Sequence, residues 1–370
     1  MSLKKNINLL EKVCSYNEWD PLEEVIVGSV KGAMRPEFEP LMNSYYPNEN
    51  DKYFLSYSYS KEEVDEAESQ LNNFANILAQ MGIIVQRPEP IDFSKEIRTP
   101  EFSAASGNCA ACPRDVLLII GNRIIEAPMA MRSRFFEYLP YRKIIKEYFK
   151  SGAKWYAAPK PSMSDKLYIS NFSVEDKIFD ADTHTALTDF EPCFDAASFM
   201  RFGKDIFYQP DLVTNDFGAE WLKSIVGSEY RFHRITFKDK HPPQHLDTTL
   251  VPLREGLVMV NPERPCSNGY MKLFEDNNWK IIDAPPSVQS VEFHSPEVSN
   301  WISMNVISID QSTVVVEENE ENMIKLMEEH DFKVITCPFD KVYKFGGGFH
   351  CCTTDIRRKG QLTSYFKTLD

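Results

Sequence analysis

The stretch VISIDQSTVVVEENEENMIKLMEEHDFKVITCP, residues 306–338, contains in one run every element of the predicted fold. Its β-branched segments predict strands on either side of Asp310-Gln311, a turn signal. A helical segment follows, and then a third strand that Pro338 ends because proline cannot donate to a sheet. The run therefore predicts a hairpin, a helix and a returning strand, which occupy Val306–Ile309, Thr313–Glu317, Glu320–Glu329 and Phe332–Thr336.

The same order of elements recurs upstream. Hairpin signals centre on Gly121, Gly203 and Gly256, each between two apolar runs. The predicted hairpins are Val116–Ile120 with Ile124–Glu126, Ala196–Phe199 with Asp205–Tyr208, and Thr248–Pro252 with Leu257–Val260. The helices that follow them are predicted at Met131–Lys150, around Trp221 and at Met271–Asp276, and the returning strands at Lys154–Ala158, Tyr230–Ile235 and Trp279–Asp283.

The first unit begins with a strand at Leu22–Gly28 and contains the clearest helix. Ser60 and Glu63 have the spacing of a capping box, and Gly82 supplies a stop signal. A strand at Ile83–Arg87 follows. Apolar side chains between the two helix signals recur at steps of three and four, so one face of this helix is expected to be buried.

Five similar units favour one closed ring with helices outside and short strands around a central channel. The expected class is α/β, with a lead-in over residues 1–18 and a single domain over residues 19–370. The alternative is an irregular α+β protein in which the repeats are coincidental.

Composition limits the possible partners. The 370 residues carry a net charge of −14, which disfavours nucleic acid and anionic membranes. The N-terminus lacks the apolar core of a secretory signal, so the eight cysteines are expected to be reduced thiols of a cytoplasmic protein. Cys109 and Cys112 have the spacing of a redox pair or half a zinc site, but no second half accompanies them, and no metal is predicted.

A second informative stretch is Gly346-Gly347-Gly348-Phe349-His350-Cys351-Cys352, which runs into Thr353–Arg358. Consecutive glycines indicate a close approach of the backbone to another backbone or to a ligand. The run after them is interpreted as a short strand that holds one of the two thiols at the base of a cleft. The simpler alternative is a turn that leads into a core strand with an inert cysteine.

Polar residues open the inner strands of several units. Asp115, Asp195, Asp247 and Cys351 occupy such positions, and His245 would share a strand face with Asp247. A ring would bring these side chains to one cavity. A nucleophilic thiol needs an imidazole and a group that orients it. Additional carboxylates suit a planar cation such as a guanidinium, whose central carbon a thiolate can attack.

The glycine-rich stretch and the arginines after it strongly resemble the active-site segment of the arginine:X amidinotransferases, which use glycine, inosamine-phosphate or cyanobacterial toxin intermediates as acceptors. Further motifs resemble this family in the family's order: Cys112–Asp115, Glu126–Ala130, Arg132–Glu137, Phe194–Ala197, His245–Asp247 and Asn261–Pro265. The resemblance covers about Trp19 to the end of the chain. It implies the five-bladed pentein α/β-propeller, with pseudo-five-fold symmetry and ββαβ-type units.

The resemblance also implies roles. Cys351 would attack the guanidino carbon of L-arginine, His245 would protonate departing L-ornithine, and Asp195 would orient His245. An amine acceptor would then displace the sulfur in a ping-pong reaction without a cofactor or metal. The implied substrate-binding residues are Asp115 and Asp247 for the guanidinium, Arg264 and Ser299 for the donor carboxylate, and Arg134 as a further basic residue.

The chain departs from the glycine-using members before His245. Pro242 and Gln244 lie where that branch shapes its acceptor site, and Cys352 replaces the usual tryptophan or alanine. These differences favour a primary amine other than glycine, such as an intermediate of a specialised pathway. A hydrolase related to arginine deiminases and a non-catalytic arginine-binding protein are the alternatives. Ser299 could equally be a simple turn cap, and the sequence leaves a homodimer open.

Overall fold

The computed structural model describes residues 12–44, 57–170, 172, 179–180, 186–239, 245–267, 269–288 and 299–367. These residues form five three-stranded sheets together with short two-stranded pairs. The strands of the five sheets, in chain order, are β1 Leu22–Val27, β2 Ile84–Gln86, β3 Leu117–Ile120, β4 Arg123–Glu126, β5 Lys154–Ala157, β6 Phe199–Phe202, β7 Asp205–Tyr208, β8 Arg231–Arg234, β9 Leu250–Arg254, β10 Leu257–Val260, β11 Lys280–Asp283, β12 Ile307–Asp310, β13 Thr313–Glu317, β14 Lys333–Cys337 and β15 Thr353–Arg358.

All five sheets repeat one pairing pattern. The central strand pairs antiparallel with an inner strand, which is the first strand of a hairpin in four of the sheets. It pairs parallel with the strand that returns after a helix, as in β3-β4-β5. The repeated hairpin–helix–strand unit and the α/β class are therefore confirmed. The helices are α1 Lys61–Gln80, α2 Pro113–Val116, α3 Arg142–Lys150, α4 Asp216–Val226, α5 Met271–Asp276, α6 Glu321–Glu329 and α7 Asp340–Tyr343.

The first sheet joins the two ends of the described chain. Strand β1 pairs antiparallel with β15, with Val27 opposite Thr353, and parallel with β2. The C-terminal strand thus supplies the inner strand that the first unit lacks in the sequence. This pairing places the residues just before β15 beside the N-terminal unit.

Local sequence explains the helix and turn positions. Both hydrogen bonds of the Ser60–Glu63 capping box are present at the start of α1, and Ala67, Leu71 and Phe74 form part of its buried face. The hairpin glycines Gly121, Gly203 and Gly256 all have positive φ, a conformation that other residues rarely adopt. No described helix is long and apolar enough to cross a membrane.

The helix predicted over Met131–Lys150 is wrong for its first half. Only α3 is α-helical there, and it is preceded by the 3₁₀ turns Arg132–Arg134 and Leu139–Tyr141. Pro140 disfavours a continuous helix because it lacks an amide hydrogen and restricts the residue before it.

The loose lead-in predicted over residues 1–18 is also wrong for its described part, residues 12–18. Val13, Ser15 and Asn17 are almost fully buried. The Cys14 amide donates to the Ile356 carbonyl at 2.9 Å, which ties this segment to β15. Glu18 is buried as well and forms ion pairs, so this segment belongs to the core.

Candidate active site

A single helical turn precedes the inner strand of several units and positions the acidic side chains. Asp115 lies in α2 before β3, and Asp247 lies in the 3₁₀ turn Leu246–Thr248 before β9. Asp195 is the N-cap of the equivalent turn, Ala196–Ser198, before β6. The prediction that these residues open strands is therefore corrected, because each lies in the turn that leads into its strand.

Cys351 also lies before its strand and not in it, since β15 begins at Thr353. The glycines allow the backbone to approach closely, as the sequence predicted. A Cβ atom on Gly347 would lie 2.5 Å from Cβ of Cys351 and 2.8 Å from Sγ of Cys112, and one on Gly348 would lie 2.8 Å from Cβ of Asn305. Asn305 also accepts a 2.9 Å hydrogen bond from the Cys351 amide.

The predicted catalytic side chains meet in one buried cluster. A carboxylate oxygen of Asp115, a ring nitrogen of His245 and Sγ of Cys351 lie within 4.8 Å of one another. His245 Nε2 is 3.2 Å from Asp195 Oδ2, and His245 Nδ1 is 3.6 Å from Asp115 Oδ1. The Cys351 thiol donates a 3.1 Å hydrogen bond to Asp247 Oδ2.

Arg134 ties two of these carboxylates together. Its guanidinium lies 3.1 Å from Asp195 Oδ2 and 3.0 Å from Asp115 Oδ2, and its Nε donates to Glu137 at 2.8 Å. All four side chains are buried. Arg134 therefore holds the acids of the site in place.

Each of the three acidic residues has one oxygen that accepts no hydrogen bond. Within the described part of the chain, Oδ1 of Asp115, of Asp195 and of Asp247 is buried and has no hydrogen-bond partner. A buried carboxylate oxygen without a donor is costly. The cluster is thus electrostatically incomplete and fits a ligand that carries N–H donors and positive charge.

The acids set the protonation of the two reactive groups. Burial lowers the pKa of His245, but Asp115, Asp195 and Asp247 outweigh that effect and raise it to about 9. Burial, Asp247 and Asp115 raise the pKa of the Cys351 thiol well above its ordinary value. The site therefore rests with a protonated imidazole and a neutral thiol at neutral pH.

The pKa of Asp247 shifts in the opposite direction from that of Asp115. Burial raises the pKa of this carboxyl group, but the hydrogen bond and charge of His350, and the charge of His245, lower it to about 2. In Asp115, by contrast, burial dominates and raises the pKa despite His245 and Arg134. Asp247 therefore holds its charge more firmly than Asp115 does.

Comparison with known proteins identifies the family. No protein-family model matches the chain. Mitochondrial glycine amidinotransferase of Gallus gallus is 46% identical over 366 residues, which cover 96% of this chain and 85% of the relative. The L-arginine:L-lysine amidinotransferase of Pseudomonas savastanoi pv. phaseolicola is 44% identical over 356 residues, which cover 95% and 96% of the two chains. The chain belongs to the amidinotransferase family.

Solved structures agree with this family assignment. SxtG, an amidinotransferase from Microseira wollei in the saxitoxin biosynthetic pathway, has a TM-score of 0.87 and 45% identity, with 96% of this chain and 100% of SxtG covered. A dimethylarginine dimethylaminohydrolase has a TM-score of 0.54 at 14% identity, covering 90% and 98% of the two chains, and shows the fold alone. These relatives confirm the amidinotransferase family that the sequence motifs indicated.

Arg264 lies next to the acidic cluster of this amidinotransferase. Its guanidinium is buried and donates to the hydroxyl groups of Thr248 and Thr249, at 3.2 and 3.0 Å. These threonines directly follow Asp247 in the chain.

The remaining predicted residues comprise a serine that caps a turn, two residues outside the described part of the chain, and two buried cysteines. The Ser299 hydroxyl accepts a hydrogen bond from the Trp301 amide, which is the geometry of a turn cap. Pro242 and Gln244 lie outside the described residues, and their role in acceptor choice stays a prediction. Cys109 and Cys112 are buried free thiols.

Sequence reasoning missed two buried residues: His350, which contacts Asp247 of the cluster, and Glu18, which contacts His350. His350 Nδ1 lies 2.8 Å from Asp247 Oδ2, and its Nε2 lies 3.4 Å from Glu18 Oε2. The signal for His350 was its place beside Cys351 in the glycine-rich stretch. Glu18 carried no signal, because the segment around it resembles an ordinary loop.

Proposed function

We propose that this protein transfers the amidino group of L-arginine to a primary amine through a covalent amidino intermediate on Cys351, with release of L-ornithine. This proposal rests on three buried carboxylate oxygens that accept no hydrogen bond, one each from Asp115, Asp195 and Asp247, around a thiol and an imidazole. A guanidinium supplies both the positive charge and the N–H donors that these oxygens lack.

The donor is bound by charge at both of its ends. Asp115 and Asp247 grip the guanidinium, and Arg264, assisted by Ser299, holds the α-carboxylate. Arg264 suits this role because it is buried beside the turn that carries Asp247. An arginine fork binds a carboxylate in a bidentate manner, which fixes the orientation of the donor.

The first half of the reaction uses the protonated imidazole. The bound cation offsets the negative field that disfavours the thiolate, so the Cys351 proton is lost to solvent. The thiolate attacks the guanidino carbon, and His245 gives its proton to the departing nitrogen. The carbon–nitrogen bond breaks, neutral ornithine amine leaves, and an amidino group remains on sulfur as a cation.

The second half reverses these proton movements. A neutral amine attacks the amidino carbon, and His245, now neutral, takes the proton that the amine loses. The carbon–sulfur bond breaks and returns Cys351 as a thiolate beside protonated His245. Asp195, 3.2 Å from His245 Nε2, keeps the ring oriented in both halves.

The acceptor is a primary amine. The relatives named above use glycine or L-lysine according to their names, or act in saxitoxin biosynthesis. We propose an acceptor other than glycine, with Pro242 and Gln244 in its selection. The proposal also includes a pentein propeller with five units around a central channel. Residues 19–370 then form a single domain whose core includes buried residues of the segment 12–18. We further propose that the enzyme is cytoplasmic and needs no cofactor.

Label transfer tests the function directly. The protein is incubated with arginine labelled at the guanidino carbon and with a panel of amines, including glycine and lysine, and the products are separated by mass. Label in a new guanidino compound, with stoichiometric ornithine, is the expected result. Label that appears only in citrulline or urea would mean that water is the acceptor, and unchanged arginine would refute both reactions.

A pair of cysteine variants locates the intermediate. Cys351→Ser is expected to abolish transfer and to lose the amidino adduct that mass spectrometry detects on the wild-type protein after arginine is added. Cys352→Ser is the matched control, because Cys352 is the adjacent residue and its buried thiol contacts the Gly347 carbonyl. The control is expected to keep most activity, and an adduct on Cys351→Ser would contradict the assignment.

A further inference from the structure

A second buried imidazole lies behind the thiol. His350 is 6% exposed, and its two ring nitrogens face two different carboxylates, those of Asp247 and Glu18. The Asp247 oxygen that His350 contacts, Oδ2, is the same oxygen that accepts the Cys351 thiol hydrogen bond. His350 therefore touches the catalytic cluster without itself contacting the reacting sulfur through a hydrogen bond.

His350 is anchored by a buried ionic network. Both Glu18 oxygens accept from Arg201 at 2.6 Å, and Arg114 lies 3.2 Å from the same carboxylate. Arg114 and Arg201 also pair with Asp355, at 2.8 and 2.9 Å. Arg114 additionally donates to the His350 carbonyl at 3.3 Å. The network fixes Glu18, and Glu18 in turn fixes the far side of the imidazole ring.

The contacts leave Asp247 with one bound and one free oxygen. Oδ2 receives the imidazole and the thiol, whereas Oδ1 has no partner among the described residues. A carboxylate held at one oxygen has a fixed plane, so its second oxygen points in a fixed direction. This arrangement is what precise capture of a planar guanidinium requires.

We propose that His350 is a positioning residue for amidino transfer: held by Glu18, its imidazolium fixes Asp247 against the Cys351 thiol and keeps Oδ1 of Asp247 free for the guanidinium of the donor. The catalytic consequence of this inference rests on the proposed function. The contact between His350 and Asp247 is independent of that function. The effect on Asp247 can therefore be measured without turnover.

The charges around His350 and Asp247 agree with this positioning role. Burial and Arg114 lower the pKa of His350, but Asp247 and Glu18 outweigh them and raise it. Carboxylates on both ring nitrogens therefore favour the imidazolium form of His350. Around Asp247 the cations are His350 and His245, and the other titratable groups are the Cys351 thiol and the Asp115 carboxylate. Removal of the His350 charge takes away the largest stabilising influence on the Asp247 carboxylate.

Two substitutions separate the contacts of the ring. In His350→Asn the amide nitrogen occupies the place of Nδ1 and can still donate to Asp247. In His350→Gln the amide nitrogen reaches the place of Nε2 and can donate only to Glu18. His233→Asn is the matched control, because His233 also faces a buried carboxylate, Asp205 at 2.7 Å, but lies in β8.

The first measurement is kinetic. We expect kcat/KM for arginine to fall about 10- to 100-fold in His350→Gln, as for loss of one charged hydrogen bond. His350→Asn is expected to recover part of that loss, and the His233→Asn control to retain wild-type kinetics. Equal losses in Asn and Gln, or no loss in either folded variant, would overturn the proposal.

The second measurement is independent of activity. The carboxyl carbons of ¹³C-labelled aspartate are followed by NMR across the acidic range. Asp247 is expected to stay ionised to the acid limit of the folded wild-type protein, to titrate at least about one pH unit higher in His350→Gln, and to move less in His350→Asn. An unchanged Asp247 titration in His350→Gln would overturn the proposal even if the wild type transferred no amidino group. An inactive wild type with the expected titration would refute the proposed function alone.

Discussion

Replacement of Asp195 by asparagine tests the electrostatic basis of the site. The pKa of about 9 at His245, against an ordinary 6.5, corresponds to about 3 kcal/mol in favour of the imidazolium. Asp195 contributes a 3.2 Å hydrogen bond and a full charge to that sum. An opposite charge at such a distance changes a pKa by about 1–3, so we expect the His245 pKa to fall by at least about one in Asp195→Asn.

The sign of the stability change follows from the same value. Because the pKa is raised on folding, His245 stabilises the folded protein fully below pH 6.5, and this contribution is lost as the pH rises from 6.5 through about 9. In Asp195→Asn the contribution is smaller, and it disappears at a lower pH. The difference in unfolding free energy between wild type and variant is therefore largest on the acidic side and shrinks toward pH 9.

The assay is NMR titration of histidine with ¹³C-labelled imidazole, combined with urea unfolding at several pH values and with the rate of ornithine release. The His233 signal is the internal control, because this side chain contacts Asp205 and not the cluster. Ornithine release at pH 8 should slow, because less imidazolium is available to protonate the leaving nitrogen. A His245 titration at the same pH in wild type and variant would refute the electrostatic reasoning.

The remaining predictions concern substrate binding and packing. Asp115→Asn removes one carboxylate from the guanidinium site and should cost about 2–5 kcal/mol, at least about 30-fold in kcat/KM for arginine; Asp205→Asn is the control, and wild-type kinetics in Asp115→Asn would contradict its role. Gly347→Ala places a methyl group 2.5 Å from Cβ of Cys351, so it should lower the unfolding free energy by about 1–3 kcal/mol and displace the thiol. Thermal unfolding and the rate of adduct formation measure the two effects, and a stable, fully active variant would show that the close approach is dispensable.

The repeat pattern was accessible from sequence because its signals are local. The hairpin glycines, the Ser60 cap and the alternation of apolar residues predicted the units to within a few residues. The boundary at β6 illustrates the limit: Ala196–Phe199 was predicted as a strand, but Ala196–Ser198 forms a helical turn and the strand begins at Phe199. Nothing in that short apolar run distinguishes a single turn from extended backbone.

Part of the candidate site was predicted because its motifs are also local in the sequence. Cys351, His245 and the acids were identified through motifs, although Asp115 and Asp247 were placed on strands. The network behind them could not be predicted, because Glu18 meets its partners from the opposite end of the sequence. Such long-range ion pairs have no periodicity or spacing that a single sequence reveals.

The pairing of β1 with β15 has a consequence for how the protein comes to be active. During synthesis the first sheet lacks its inner strand until the other four sheets have emerged from the ribosome, and the nucleophile arrives with that strand. Contacts between such distant segments form slowly, so refolding should restore most secondary structure before it restores turnover. The open edge of β1 would meanwhile be a site for mispairing between chains, which makes dilute refolding conditions the productive ones.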